Sequence, residues 1–207
     1  MLLKRTKWFC MIVFVAAIGF SIAVTSAFAG DNSGGTKEGI TVHGSWKIEV
    51  FNPDGTLISV SEFENALEPT GMSTLSLLLM GRSVAGGLTV FLDGSPRACN
   101  NPNNPVQAIA CLIVESDNPS TMAQSKDLTV TYNGNGFTMN GSVIAENTGS
   151  ISSVTTQTIT CNDSNTTISA CRLLGSGNPP IFTRASISPV GVVPGQLIQV
   201  TVTISFS

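Results

Sequence analysis

The chain has 207 residues, 42% of them hydrophobic and only 11% charged, with a net charge of −3. That length is enough to bury a substantial core in one domain. So sparse and acidic a charge set excludes a surface built to neutralise phosphates, and with it nucleic acid as a partner.

The N-terminus has the order of an export signal. Lys4, Arg5 and Lys7 precede an uncharged apolar stretch from Trp8 to Val24, and Ala27-Phe28-Ala29 forms a small-x-small cleavage site. An uncleaved anchor is the competing reading, because the stretch reaches the short limit for a spanning helix. The Ala-Phe-Ala site and the Gly-rich residues after it favour cleavage, so residues 1–29 are expected to be a signal peptide. Cys10 lies too far from the cleavage site to carry a lipid. Removing 29 of the 207 residues leaves 178, with 7 Lys/Arg against 13 Asp/Glu and a net charge of −6. Residues 30–44 are expected to be a flexible N-terminal segment, polar at first, and 45–207 a single domain with no membrane span.

Trp46, Ile48 and Val50 alternate with polar residues, the period of a half-buried strand. Asn52-Pro53-Asp54-Gly55 is a turn, because Pro presets φ and Gly accepts a positive φ. Leu57 to Phe63 returns as the second arm of a hairpin. Thr70 is placed to cap a short helix with Met72, Leu75, Leu78 and Leu79 on one face and Gly81 as its stop. The run Leu77 to Met80 is apolar enough to be expected inside. Further strands are expected at Leu88–Leu92, Ala108–Val114 and Leu128–Tyr132. Asn133-Gly134-Asn135-Gly136 is a hairpin turn, and Phe137–Ala145 and Ile151–Thr160 follow it. Ile181–Ser188 precedes a break at Pro189 to Gly195. Leu197 to Phe206 alternates most regularly, as a sheet with one wet face requires. Residues 172–180 read as a long surface loop. The expected fold is all-β: an antiparallel β-sandwich of about nine strands with one short helix.

Four cysteines remain after Cys10: Cys99, Cys111, Cys161 and Cys171. An even number in an exported chain reads as two disulfides with three possible connectivities. Cys99–Cys111 and Cys161–Cys171 are the favoured pairs, since each brackets an Asn-rich loop, Asn100 to Pro105 and Asn162 to Thr167. Neither a Cys-x-x-Cys spacing nor a second histidine offers zinc its usual ligands.

The candidate catalytic and binding groups favour structural readings. His43 has no accompanying nucleophile motif of the kind a triad needs. Glu62 and Glu64 share a strand face and suit paired-carboxylate chemistry, but such pairs are also ordinary solvated edge charges. Asn162-Asp163-Ser164-Asn165 holds too few carboxylates for calcium. Ser176 lies in a flexible Gly-Ser-Gly loop with nothing to mark it as a nucleophile. Trp46 and Tyr132 suit a sugar-stacking platform, although a hairpin Trp more commonly belongs to the core. No catalytic residue, cofactor or metal site is assigned. Ile40 and Val42 are candidate subunit contacts, because they alternate as an N-terminal donor strand would.

Two stretches resemble a loose group of phage tail-appendage and tail-fibre-associated β-domains. One runs from Trp46 through Asn52-Pro53-Asp54-Gly55 and Glu64-Asn65-Ala66-Leu67 to Leu77-Leu78-Leu79. The other runs from Ile181-Phe182-Thr183-Arg184-Ala185 to the terminal Thr-rich strand ending at Phe206. The resemblance implies a structural or adhesive part. A leader and paired cysteines distinguish this chain from a cytoplasmically assembled tail protein. The expectation is therefore a non-catalytic extracellular structural protein that self-associates into an oligomer or filament. A secreted adhesin or carbohydrate-binding module contacting cell-surface glycans is the alternative, and a secreted glycoside or peptide hydrolase the third.

Overall fold

Alternating apolar residues build the sheet strand by strand, and the computed structural model describes residues 40–115, 125–163, 165–174 and 179–207. The expected signal peptide, residues 30–39 of the expected flexible segment, and Ser176 lie outside the described residues. Among the described residues there are eleven strands: β1 (Val42–Phe51), β2 (Leu57–Ala66), β3 (Val84–Asp93), β4 (Cys99–Asn101), β5 (Asn104–Ile109), β6 (Cys111–Glu115), β7 (Ser125–Tyr132), β8 (Gly136–Ile144), β9 (Gly149–Cys161), β10 (Ile181–Val192) and β11 (Leu197–Phe206). Two helices accompany them, α1 (Pro69–Leu79) and α2 (Ile168–Leu174).

Nine strands form one sheet in the order β10-β9-β3-β6-β7-β8-β11-β1-β2, and β4 and β5 make a separate hairpin. The sheet folds over until its two edges approach, where an antiparallel bridge joins Leu67 to Thr183. The all-β expectation and its nine main strands stand, in a nearly barrel-like form. Not every pairing is antiparallel: β6 and β7 run parallel. Parallel neighbours need a crossover rather than a tight turn.

The interior is filled by the inward positions of the alternating strands. Trp46, Ile48 and Val50 of β1 face Ile198, Val200, Val202 and Ile204 of β11, all of them buried. Val90, Leu92, Ile113, Leu128, Met139, Ile151 and Val154 complete the same core. Both disulfides join the pairs that the loops select, Cys99 to Cys111 and Cys161 to Cys171. The first ties the β4–β5 hairpin to β6, so Asn100 to Pro105 is a hairpin rather than an irregular loop. The second anchors α2 beside the end of β9. A second helix thus stands where one was expected, and it begins before the predicted 172–180 loop.

The first helix departs most from expectation. Its N-cap is Glu68, with Pro69 at the first helical position, where the missing N–H costs no hydrogen bond. Thr70 is inside the helix, and its hydroxyl donates to the Ile181 carbonyl at 2.7 Å instead of capping. The buried face consists of Gly71 and Thr74 rather than the leucines. A Cβ on Gly71 would run into the Phe182 carbonyl oxygen, so the glycine lets the helix lie against the backbone of β10. In the run Leu77 to Met80 only Leu78 is half-buried; the others face outward, with Leu79 66% and Met80 60% exposed. The core is already filled by strand residues, so only the small face of α1 is fully buried, while Leu75 packs partly against the core.

Two strand limits also differ. The strand β1 begins at Val42, so residues 42–44 of the segment expected to be flexible are already in the sheet. Strand β10 continues past Pro189 to Val192. It absorbs the proline in a register irregularity between Ser186 and Val190, which an edge strand tolerates because one side needs no ladder donor.

Candidate contact surface

The register of the outer strands gathers outward-facing apolar side chains that lie far apart in sequence. Leu197 pairs with Ile144 and with Phe51, and Phe51 pairs with Leu57. Directly opposed residues share a face, so Ile144, Leu197, Phe51 and Leu57 form a transverse row across β8, β11, β1 and β2. Ile144 and Leu57 are exposed, and Leu197 and Phe51 between them are half-buried. All four alternate with buried neighbours or sit at the sheet rim, which places the row on the solvent side. The next row along the same face is Ser142, Gln199, Glu49 and Val60, apolar only at the sheet edge, and the one after it, Asn140, Thr201, Lys47 and Glu62, is polar throughout. In these rows Lys47 pairs with Glu49 at 2.8 Å, and Thr201 donates to Asn140 at 2.9 Å.

The row runs into the sheet edge. The pairing of β1 with β2 shifts between Val50 and Phe51, leaving Ile58 as the extra residue of a bulge. Leu57, Ile58 and Val60 are 51%, 49% and 46% exposed. Pro53 and Gly195 border the row on the turns beside it. The adjoining turn is rigid: Asp54 accepts the Thr56 N–H at 2.9 Å and the Thr56 hydroxyl at 2.6 Å. Those two bonds hold the Asp54 carboxyl below its ordinary range, the hydroxyl contributing most.

A second apolar surface lies at the other end of β1. Ile40, Leu75, Leu79 and Phe206 line a shallow groove beside the C-terminus. Thr41 and Ser207 exchange two backbone hydrogen bonds there, at 2.8 and 3.0 Å. Met72, Leu77 and Met80 extend the exposed apolar side of α1. Strand β1 has ten residues, so the two surfaces are separated by about 30 Å along the sheet.

The residues singled out from sequence fall into three groups. Val42 is half-buried within β1, paired with Phe206 of its own chain, and so is not a free donor residue; Ile40 is exposed in the groove. Trp46 is 1% exposed and stacks on Phe63 at 5.8 Å. It belongs to the core, and the proposed Trp46–Tyr132 sugar platform does not exist. Tyr132 is exposed, tilted against Phe137. His43, Glu62 and Glu64 are exposed and spread along β1 and β2, with His43 opposite Ala66. Asp163 accepts the Asn165 N–H at 2.9 Å, a turn-forming bond. Among the described residues no group of three or more His, Cys, Asp or Glu could hold a metal ion, and no helix is long and apolar enough to cross a membrane.

The apolar row escapes sequence reading because its members occupy outward positions of four strands. Only the cross-strand register unites them. The available signal is an apolar residue at the polar phase of the alternation, as at Ile144 and Leu197. No family model, curated protein or solved structure matches this chain.

Proposed function

We propose that this chain is a non-catalytic extracellular structural protein, exported and then self-associated as the subunit of a surface appendage, filament or matrix. The observation that carries the reading is the pair of exposed apolar surfaces at opposite ends of β1. Water-exposed apolar area of that kind is unfavourable by roughly 25 cal/mol per Å², and contiguous apolar patches commonly mark contact sites. Two different surfaces at opposite ends suit linear assembly, because contacts that do not close on themselves generate filaments. The intramolecular disulfides suit an oxidising compartment, in keeping with the leader. The resemblance to tail-appendage domains points to the same structural class.

Negative-stain microscopy and sedimentation of the exported protein over a range of concentrations test the proposal. Polymers or concentration-dependent oligomers are expected. Monomers alone at high concentration would refute it.

A further inference from the structure

The two edges of the main sheet are protected unequally. Strand β10 carries Arg184, Pro189 and Gly191 and loses its register between Ser186 and Val190. Proline, positive charge and irregularity are the devices that stop an edge from pairing with another chain. Strand β2 has no proline, lysine or arginine, and its only device of this kind is the single bulge at Ile58. Past its C-terminal end the Leu67–Thr183 bridge covers the edge, but among the described residues the N-terminal half has β1 as its only strand neighbour. That open half is where Leu57, Ile58 and Val60 are exposed.

We infer that this open half of β2 pairs antiparallel with the same segment of a second copy of this chain, about a two-fold axis at Ser59. The inference rests on the self-association proposed above and names its surface. Charge selects the register. Two-fold pairing centred on Ser59 sets Ile58 against the partner's Val60, Val60 against the partner's Ile58, and Glu62 against the partner's Thr56. Centring it on Phe63 would set Glu62 against Glu64 of the partner subunit, a like-charge pair that opposes association. Centring it on Val60 would put Ile58 against Glu62 of the partner subunit. Of these three centres, the Ser59 one keeps Ile58 and Val60 together and the carboxylates away from one another.

The test uses the full exported chain in three variants. Val60→Lys places an edge-blocking charge at an exposed position. It is expected to raise the dissociation constant for self-association at least tenfold by sedimentation, with the melting temperature unchanged. Ser59→Cys is expected to give a disulfide-linked dimer on mild oxidation, because the two-fold sets the residue opposite itself. Glu62→Cys, although more exposed, is expected to give none. Its two copies would lie much farther apart than a disulfide spans. A dissociation constant that Val60→Lys leaves unchanged, or a linked dimer from Glu62→Cys and none from Ser59→Cys, overturns the β2 edge while leaving self-association intact. A wild-type chain that stays monomeric overturns both.

Discussion

One buried hydroxyl pair joins the edge strand β10 to β9, and its two members should not be equivalent. Thr156 of β9 and Thr183 of β10 are both fully buried, and their hydroxyl oxygens lie 2.7 Å apart. The Thr156 oxygen also accepts the backbone N–H of Thr183 at 3.1 Å. Thr156 therefore serves two polar groups and the Thr183 side chain serves one. Thr183→Val removes a single bond and leaves the Thr156 oxygen still paired with the N–H, at a cost of about 1–2 kcal/mol. Thr156→Val leaves both the Thr183 hydroxyl and a buried backbone N–H without their partner. Each orphaned group costs about 1–3 kcal/mol, so the expected loss is about 2–6 kcal/mol. Guanidinium unfolding with the disulfides intact measures both. The ordering is the test: if Thr183→Val is as destabilising as Thr156→Val, the hydroxyl is not holding the strand through its N–H and the reasoning fails.

Three further outcomes follow from particular contacts. Replacing either cysteine pair by Ala should cost about 3 kcal/mol, since the loops have similar separations of 12 and 10 residues; comparison of the two melting curves checks it. Gly71→Val should free α1 from β10, because the added side chain meets the Phe182 backbone, and faster amide exchange in residues 69–79 should report the release. The Asp54 carboxyl should titrate below an ordinary aspartate, and Thr56→Val should move its NMR midpoint upward by removing the larger of its stabilising bonds. Because that pKa is depressed on folding, the contribution is present above the unfolded value and lost as pH falls through the folded one.

Strands are legible wherever one face meets the core and the other meets water. The Trp46–Ile48–Val50 and Ile198–Ile204 alternations predict β1 and β11, and the Asn52–Gly55 and Asn133–Gly136 turns mark two hairpins. The cysteine pairs follow from local loops. Helix α1 is misread because a stripe of leucines implies room inside for them. Burial depends on what the neighbouring elements leave unfilled, and here only Gly71 and Thr74 are fully buried against β10, with Leu75 partly so. Strand β10 is cut short at Pro189 in the sequence reading because its position at the sheet edge, which makes the proline tolerable, is a tertiary property. The same limit hides the apolar row: residue phase identifies Leu57 or Ile144 as outward, but strand order alone brings them together.

The geometry places different demands on the two apolar surfaces. Edge pairing through β2 is isologous, so each subunit uses that contact once and growth stops at a pair. A filament then requires the surface formed by Ile40, Leu75, Leu79 and Phe206 to make a second contact. That surface lies at the opposite end of β1, so one copy can use both without steric conflict. If the two contacts are separate, Leu79→Lys should leave a dimer joined through β2, whereas Val60→Lys should leave whatever complex the α1 end forms. Combining them should give monomers with an unchanged melting temperature, since both side chains are already exposed. Sedimentation of the three variants distinguishes this from a single continuous interface, in which either substitution alone would yield monomers.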